Sequence, residues 1–348
     1  MSLRRQELQG IDFYRYPPLG PEDWRYIYAT AQVRVLATQM LTRNLCLDIA
    51  NAESFESAAD LLSGTEYAIE GSSDSAALEA MLLERRSAVR ALFADLMIDK
   101  QLVVLLRARE DFANMRLAVR RVVTERPLGL DYSDEGSVPA EEFEEIFEQE
   151  DYSRFPDYLQ DAVEASVLGY YEKKDIRQID YAIDRVEAAW RVRRAQEVGC
   201  VFNLSLARIR IDLYNLRTML RLKAAERDER EHFFPDGFVE TGKFVQGLDA
   251  DYEAIPALFY ATPYAEILDE GVGYLRDEGS FLRLEQKCDD YLMGFLKSTH
   301  QLTAGPQPVI AYLLLKEAEI RTVRMLLVGK KNGLSSKLML DWLSYWMS

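Results

Sequence analysis

Three stretches of the chain carry the same arrangement of apolar and polar positions. Counted from a central acidic residue, Asp111, Asp212 or Glu319, positions −6, +1, +4 and +8 are apolar every time. They are Leu105, Phe112, Met115 and Val119; Leu206, Leu213, Leu216 and Leu220; and Leu313, Ile320, Val323 and Leu327. At 100° per residue these positions fall on one face about 80° wide, so each stretch is predicted to be a helix that buries that face. The centres lie 101 and 107 residues apart, the size of a small helical domain.

Around these stretches Ala, Leu, Glu and Arg dominate, and the alternating β-branched and aromatic runs that signal strands are scarce. The fold class read from this is all-α. Breaks occur at Gly64, Gly71-Ser72-Ser73, Pro127 to Gly136, Pro235-Asp236-Gly237, Pro256, Pro263, Gly305 to Pro308 and Asn332-Gly333. Pro17-Pro18 and Gly20-Pro21 block helix ahead of Pro21-Glu22-Asp23, whose proline and two acids suit a first helical turn, so a helix is predicted to start there. The division that follows is a lead over 1–20 and three homologous helical domains over 21–150, 151–250 and 251–348.

The same wheel sets two polar edges. Positions −2, +5 and +9 lie within about 40° of one another beside the apolar face. In two copies all three are arginine: Arg109, Arg116 and Arg120, then Arg210, Arg217 and Arg221. The third copy keeps Arg324 at +5 but has Glu317 and Val328 at the other two places, with Lys330 further along. Such an edge either pairs with carboxylates of the same chain or faces an acidic partner, and both readings stand. On the opposite edge lie the central acids Asp111, Asp212 and Glu319, with Asn114 and Asn215 three residues after the first two. There a carboxylate and an amide can bond to exposed backbone ends of adjacent helices, which makes these five structural polar anchors.

The recurrence extends beyond the helices. Gly136 follows Asn114 by 22 residues and Gly237 follows Asn215 by 22, and each is followed by valine at +2 and phenylalanine at +7 (Val138 and Phe143, Val239 and Phe244). Thr65-Glu66-Tyr67 and Thr262-Pro263-Tyr264, each with a leucine four residues ahead of the threonine, match between the first and third copies, with no counterpart visible in the second.

Charge narrows the function. With 58 acidic and 42 basic residues the net charge is −16, a poor match for a phosphate backbone, which argues against nucleic-acid binding. The run Glu141 to Glu148 reads as the solvated side of an amphipathic helix. Cys46, Cys200 and Cys288 lie far apart without zinc-ligand spacing and read as buried, reduced thiols. The most apolar run, Ala91 to Leu106, is interrupted by Asp95, Asp99 and Lys100, so no membrane-spanning helix is predicted. The first residues lack the apolar segment of a secretory signal, and a cytoplasmic location is expected.

Candidate chemistry is sparse. His232 and His300 have no nucleophile or metal context, and Asp289-Asp290 lacks the second carboxylate cluster of a magnesium site. Gly329-Lys330-Lys331-Asn332-Gly333 follows a helix and lacks the ending of a phosphate loop, so it reads as a helix C-terminus with basic residues near exposed carbonyls. No catalytic residue, cofactor or metal is expected.

Three segments together resemble one family. They are Tyr26 to Leu41 with Leu61, Thr65 and Tyr67; Ile211-Asp212 with Asn215-Leu216-Arg217 and Arg221; and Pro308 to Leu334, in which Lys316-Glu317, Glu319-Ile320-Arg321 and Val328-Gly329-Lys330 precede Asn332-Gly333-Leu334. They look like the C-type subunit of the archaeal and bacterial V/A-type rotary ATPases, whose counterpart in the eukaryotic V-ATPase is the d-type subunit, and the likeness spans about residues 26–348. The resemblance implies three homologous domains arranged as a funnel. It implies a monomer on the cytoplasmic face of the membrane, between the central-stalk subunits (D and F type) and the proteolipid ring, passing torque for ion transport without bond chemistry of its own. On that reading the partner-interface candidates are Arg109, Arg116, Arg120, Arg210, Arg217, Arg221, Arg324 and Lys330. The alternative is a helical-repeat adaptor unrelated to rotary ATPases.

Overall fold

The structure, a computed structural model, describes residues 11, 13–69, 75–126 and 132–343. Most of the predicted lead, the Gly71-Ser72-Ser73 break and the first part of the break that begins at Pro127 lie outside these residues. The described residues are helical, with no strand among them. In chain order the α-helices are α1 (Ile27–Ala37), α2 (Arg43–Asn51), α3 (Phe55–Asp60), α4 (Ser75–Leu96), α5 (Lys100–Val123), α6 (Ala140–Gln149), α7 (Asp157–Lys173) and α8 (Arg177–Val198). They continue with α9 (Val201–Ala224), α10 (Thr241–Asp249), α11 (Ile255–Leu258), α12 (Ala265–Glu278), α13 (Leu282–Lys297), α14 (Pro306–Lys331) and α15 (Ser336–Trp342).

The first helix begins later than Pro21. Asp23 is not inside it: its carboxylate accepts the Arg25 N–H at 3.0 Å and caps a short 3-10 turn, Trp24–Tyr26, that leads into α1. An aspartate outside the helix can satisfy an otherwise orphaned donor, and here that outweighs the first-turn preference of the two acids. Pro256 and Pro306 also differ from the reading as breaks, because each sits in the first turn of a helix, α11 or α14, where a missing N–H costs nothing.

The chain forms two compact units. Among the described residues, one joins Ile11 to those of 99–249, and the other joins those of 13–98 to those of 250–343. The stretch expected as the first domain, 21–150, thus contributes residues to both. The apolar run Ala91 to Leu106 is divided in the same way: α4 ends at Leu96 and α5 starts at Lys100.

In the first unit α7 and α8 form an antiparallel pair that packs on α5, while α6 covers α5 and α10 covers α9. The pair turns at Lys174, whose φ of 51° ends α7 in the left-handed region, and Asp175 then accepts the Arg177 N–H to start α8. Phe112, Tyr158 and Trp190 meet at centroid distances of 4.7–6.0 Å and join three helices in the core. The acidic run becomes α6, with Phe143, Ile146 and Phe147 buried and its glutamates outward.

In the second unit α14 is the hub, buried on nearly every side from Gln307 to Ile320 by α1, α2, α3, α4 and α13. A helix buried all round needs apolar residues all round, and Val309, Ile310, Leu313, Leu314 and Leu315 supply them. Residues ahead of α1 are pinned to its start: the Asp23 N–H donates to Ala304 O at 3.1 Å, and Gln307 Nε2 donates to the carbonyls of Leu19 and Pro21 at 3.2 and 2.8 Å.

Cys46 and Cys288 are buried, Cys200 is half-buried, and all three are free thiols. Burial, with a smaller push from the nearby Glu319 charge, raises Cys46 to about 12, which leaves it an inert thiol at neutral pH.

Candidate functional site

Each of the long helices α5, α9 and α14 carries a buried acid that grips a turn. On α5, Asp111 Oδ1 accepts the backbone N–H groups of Ser137 and Val138 at 2.7 and 3.1 Å, and Oδ2 accepts the Tyr158 hydroxyl at 2.8 Å. One helical turn along, Asn114 makes a paired contact with Ser133, its amide donating to the carbonyl and its oxygen accepting the N–H, both at 2.8 Å. On α9 the same clamp recurs: Asp212 accepts from Phe238 and Val239 N–H at 3.0 and 3.1 Å, and Asn215 pairs with Phe234 at 2.8 Å both ways. The equal spacing to glycine in the two copies has a steric cause. A Cβ at Gly136 or Gly237 would overlap Asp111 Oδ1 or Asp212 Oδ1, so only glycine lets the turn come this close.

The bonds to the two aspartates end on an acceptor able to carry charge and contribute roughly 1.5–3 kcal/mol each when it is ionised, while the neutral asparagine bonds contribute roughly 0.5–1.5 kcal/mol each. Burial pushes Asp111 above its ordinary 3.8, and the bonds from Val138, Tyr158 and Ser137 pull the other way without cancelling it. Burial, and then the Asp111 charge, raise the Tyr158 phenol above its usual value, so it stays a donor.

On α14 the acid is longer and its partners are different. Glu319 Oε2 accepts the Leu41 N–H and Oε1 the Tyr67 hydroxyl, both at 2.6 Å, and the Lys316 ammonium donates to Oε1 and to Glu66. Tyr67 is set by its own turn: Thr65 Oγ1 donates to Leu62 O at 2.8 Å and accepts the Tyr67 N–H at 3.1 Å. Thr262 repeats this geometry with Phe259 and Tyr264 at 2.7 and 3.2 Å. Tyr158 is therefore a partner of the same kind as Tyr67 that the Thr-x-Tyr pattern does not reveal, because Phe155-Pro156 replaces the threonine turn ahead of it.

A third recurrence lies 14 residues past each anchor. Glu125, Glu226 and Gly333 have φ of 52°, 53° and 69°, and the following N–H closes back on Arg121, Leu222 and Gly329 carbonyls at 2.9 Å each time. This left-handed cap ends all three helices. At α14 it accounts for the Gly329 to Gly333 segment: Lys330 Nζ donates to Ala52 O at 2.5 Å and to Ser336 Oγ at 3.3 Å.

The arginine edges have separate surroundings. Arg116 meets Asp184 at 2.5 Å, Glu187 at 3.6 Å and Asp180 at 3.8 Å, and Arg120 also meets Asp180. These acids stand at i, i+4 and i+7 on one face of α8, a stripe that the charge pattern could have supplied. Arg191 extends the ladder, pairing with Glu187 at 2.7 Å and donating to Leu105 O at 3.2 Å. Arg109 and Arg221 are exposed, whereas Arg210 and Arg217 are half-buried. Arg210 lines a groove of about 240 Å³ together with Asp184, Glu187, Arg191 and Tyr214. Arg324 pairs with Glu79 at 3.0 Å on the surface.

Glu317, which takes the place of an arginine at −2, is nearly buried and meets Arg90 of α4 at 2.7 Å. Among the described residues, no three His, Cys, Asp or Glu side chains gather as metal ligands, and no helix is long and apolar enough to cross a membrane.

The chain is similar in sequence to known proteins. The family model of the ATP synthase (C/AC39) subunit matches residues 29–341. The C-type subunit of the V-type sodium ATPase of Enterococcus hirae is 23% identical over 310 residues, covering 87% of this chain and 93% of its own. The C-type subunit of the A-type ATP synthase of Haloquadratum walsbyi is 25% identical over 209 residues, covering 58% of this chain and 53% of its own. That of Halorubrum lacusprofundi is 26% identical over 131 residues, covering 36% and 37%. With the family match running through all three anchor helices, the chain belongs to the ATP synthase (C/AC39) subunit family.

Proposed function

We propose that this chain is the non-catalytic coupling subunit of a V/A-type rotary ATPase, a three-domain funnel that joins the central stalk to the membrane proteolipid ring on the cytoplasmic side. The observation that supports this best is the recurrent clamp. A part that passes torque has to keep its loops fixed against its long helices under load, and buried bidentate contacts at Asp111, Asn114, Asp212, Asn215 and Glu319 do that without any group placed for bond chemistry. Purification of the native complex from membranes tests the reading. Recovery of the chain with D- and F-type stalk subunits and the proteolipid ring is expected; recovery without stalk or ring overturns it.

Within this reading the partner-interface candidates are Arg109, Arg116, Arg120, Arg210, Arg217, Arg221, Arg324 and Lys330. Arg217→Glu is expected to weaken binding of the stalk subunits about tenfold. Unchanged affinity with a lowered melting temperature would assign Arg217 to the scaffold instead.

A further inference from the structure

In the first unit the loop between α9 and α10 holds a histidine with no use in the clamps. His232 ends the short 3-10 turn Arg230–His232 and is 4% exposed. Its ring stacks on Tyr181 of α8, with centroids 4.1 Å apart and planes 24° from parallel. Among the described residues neither ring nitrogen makes a hydrogen bond, although Glu229 Oε2 lies 3.1 Å from Nδ1. Leaving both nitrogens without such a bond in a buried place costs free energy, and a proton would add the cost of a buried charge.

The carboxylates that could welcome that proton are already engaged. Glu229 meets Arg227 at 3.6 Å through its other oxygen, Oε1, and Glu231 meets Lys173 of α7 at 3.0 Å. Arg185 of α8 acts on the ring as a further cation, with its guanidinium 6.0 Å from the centroid of Phe234. Arg177 and Asp175, at the turn between α7 and α8, pair with each other at 2.6 Å, and Arg230 reaches Asp228 at 2.5 Å and Asp249 of α10 at 2.7 Å. Lys173, Arg185 and Arg227 thus stand against Glu229 and Glu231, and an imidazolium would be a fourth cation in the group. Burial holds the imidazole below its ordinary 6.5, and the attraction of Glu229 and Glu231 does not restore it.

The two halves of this loop are held by different means. In the second half Phe234 exchanges two bonds with Asn215, the N–H groups of Phe238 and Val239 end on Asp212, and Phe233 packs on Phe244 with centroids 5.8 Å apart. The first half relies on the His232 stack and on the ion pairs of Arg227, Arg230 and Glu231, which are open to solvent and individually weak. We infer that His232 is an acid-operated latch: once protonated it leaves Tyr181 and lets residues Asp228 to His232 open away from α8, while the Asn215 and Asp212 clamps keep the rest of the loop in place. Release uncovers the stacked face of Tyr181 and frees Lys173 at the end of α7. The latch belongs to the chain itself and stands apart from the stalk-and-ring reading.

Amide hydrogen exchange of the full-length chain tests the latch. The His232 N–H closes on Glu229 O at 3.1 Å and the Phe233 N–H on Arg230 O at 3.3 Å, so these two report the turn, whereas the Phe234 and Val239 N–H groups report the clamps. Between about pH 7.5 and about pH 5.5 the protection factors of the first two are expected to fall roughly three- to tenfold, because the open loop binds the proton more tightly than the closed one, and those of Phe234 and Val239 are expected to hold. His232→Phe keeps a ring against Tyr181 but takes no proton, and it should retain the protection and lose its pH dependence. In the unaltered chain the His232 ring, told from the exposed His300 by a His300→Gln variant, should titrate below 6.5 by NMR, a measurement that does not depend on the folding of His232→Phe. Protection indifferent to pH, a loss shared equally by Phe234 and Val239, a loss that persists in His232→Phe, or a ring that titrates at or above 6.5 overturns the inference.

Discussion

The clamps of the two units grip backbone across very different lengths of chain. Asp111 and Asp212 hold turns that follow them by 26 and 27 residues, whereas Glu319 holds Leu41, 278 residues earlier. Closing the longer span costs about 2 kcal/mol more in chain entropy on the logarithmic law, because that cost rises slowly with length. The structure compensates at the distant clamp with a longer acid, a tyrosine from a second segment and a buried ammonium, while the local clamps make do with an aspartate, an asparagine and a glycine. One mechanical task is thus met by two chemistries, and the choice follows from how far the partner must be brought.

The comparison can be broken hardest at Glu319. Glu319→Ala leaves Lys316 without its innermost partner and orphans the Leu41 N–H and Tyr67 hydroxyl, so a loss of about 4 kcal/mol in urea unfolding is expected. The same measurement on Gly136→Ala and Gly237→Ala should show about 2 kcal/mol each, since the new methyl must push Asp111 or Asp212 out of its turn. A Glu319 variant as mild as the glycine variants would mean that the distant clamp is redundant.

Acidity separates the units in another way. His232 of the first unit is buried and stacked on Tyr181 at 4.1 Å, with Glu229 3.1 Å away and Glu231, Lys173 and Arg185 around it. Burial lowers its pKa below 6.5, and the attraction of Glu229 and Glu231 does not restore it. Between the folded value and 6.5 the unfolded chain binds more protons, so the contribution of His232 to stability is complete above 6.5 and is lost as the pH falls. His232→Gln should therefore flatten the drop in the unfolding midpoint between about pH 7.5 and about pH 5.5. An unaltered drop would place the sensitive group elsewhere.

The smallest expected effect is a gain. Glu226→Gly relieves a non-glycine residue of a left-handed φ of 53° and should raise stability by about 1 kcal/mol, measurable as a higher midpoint. Gly333→Ala, at the equivalent cap of α14, should lose a similar amount.

What could be read from the sequence was whatever repeated in register. The face of α5, α9 and α14, the edge bearing Asp111 and Asp212 with their asparagines, and the fixed distance to Gly136 and Gly237 all follow from helical geometry over short spans. What a single helix wheel cannot reveal is the identity of a partner from another helix. The acids of α8 that take Arg116 and Arg120 were visible as a stripe, yet nothing in their spacing points to α5. Tyr158 lacked the threonine turn that marks Tyr67, and the left-handed caps at Glu125 and Glu226 carry a residue that does not advertise that conformation. The distant hold of Glu319 on Leu41 had no local signature at all.

That hold orders events during synthesis. Residues 99–249, the greater part of the first unit, are all translated before residues 250–348. Helices α1 to α4 leave the ribosome first but lack their hub until α14, Pro306–Lys331, has been translated. At about 5–20 residues per second, the more than 200 residues between Leu96 and Pro306 impose a wait of at least ten seconds. During it the apolar sides of α1 and α4 depend on chaperones or on transient neighbours for cover.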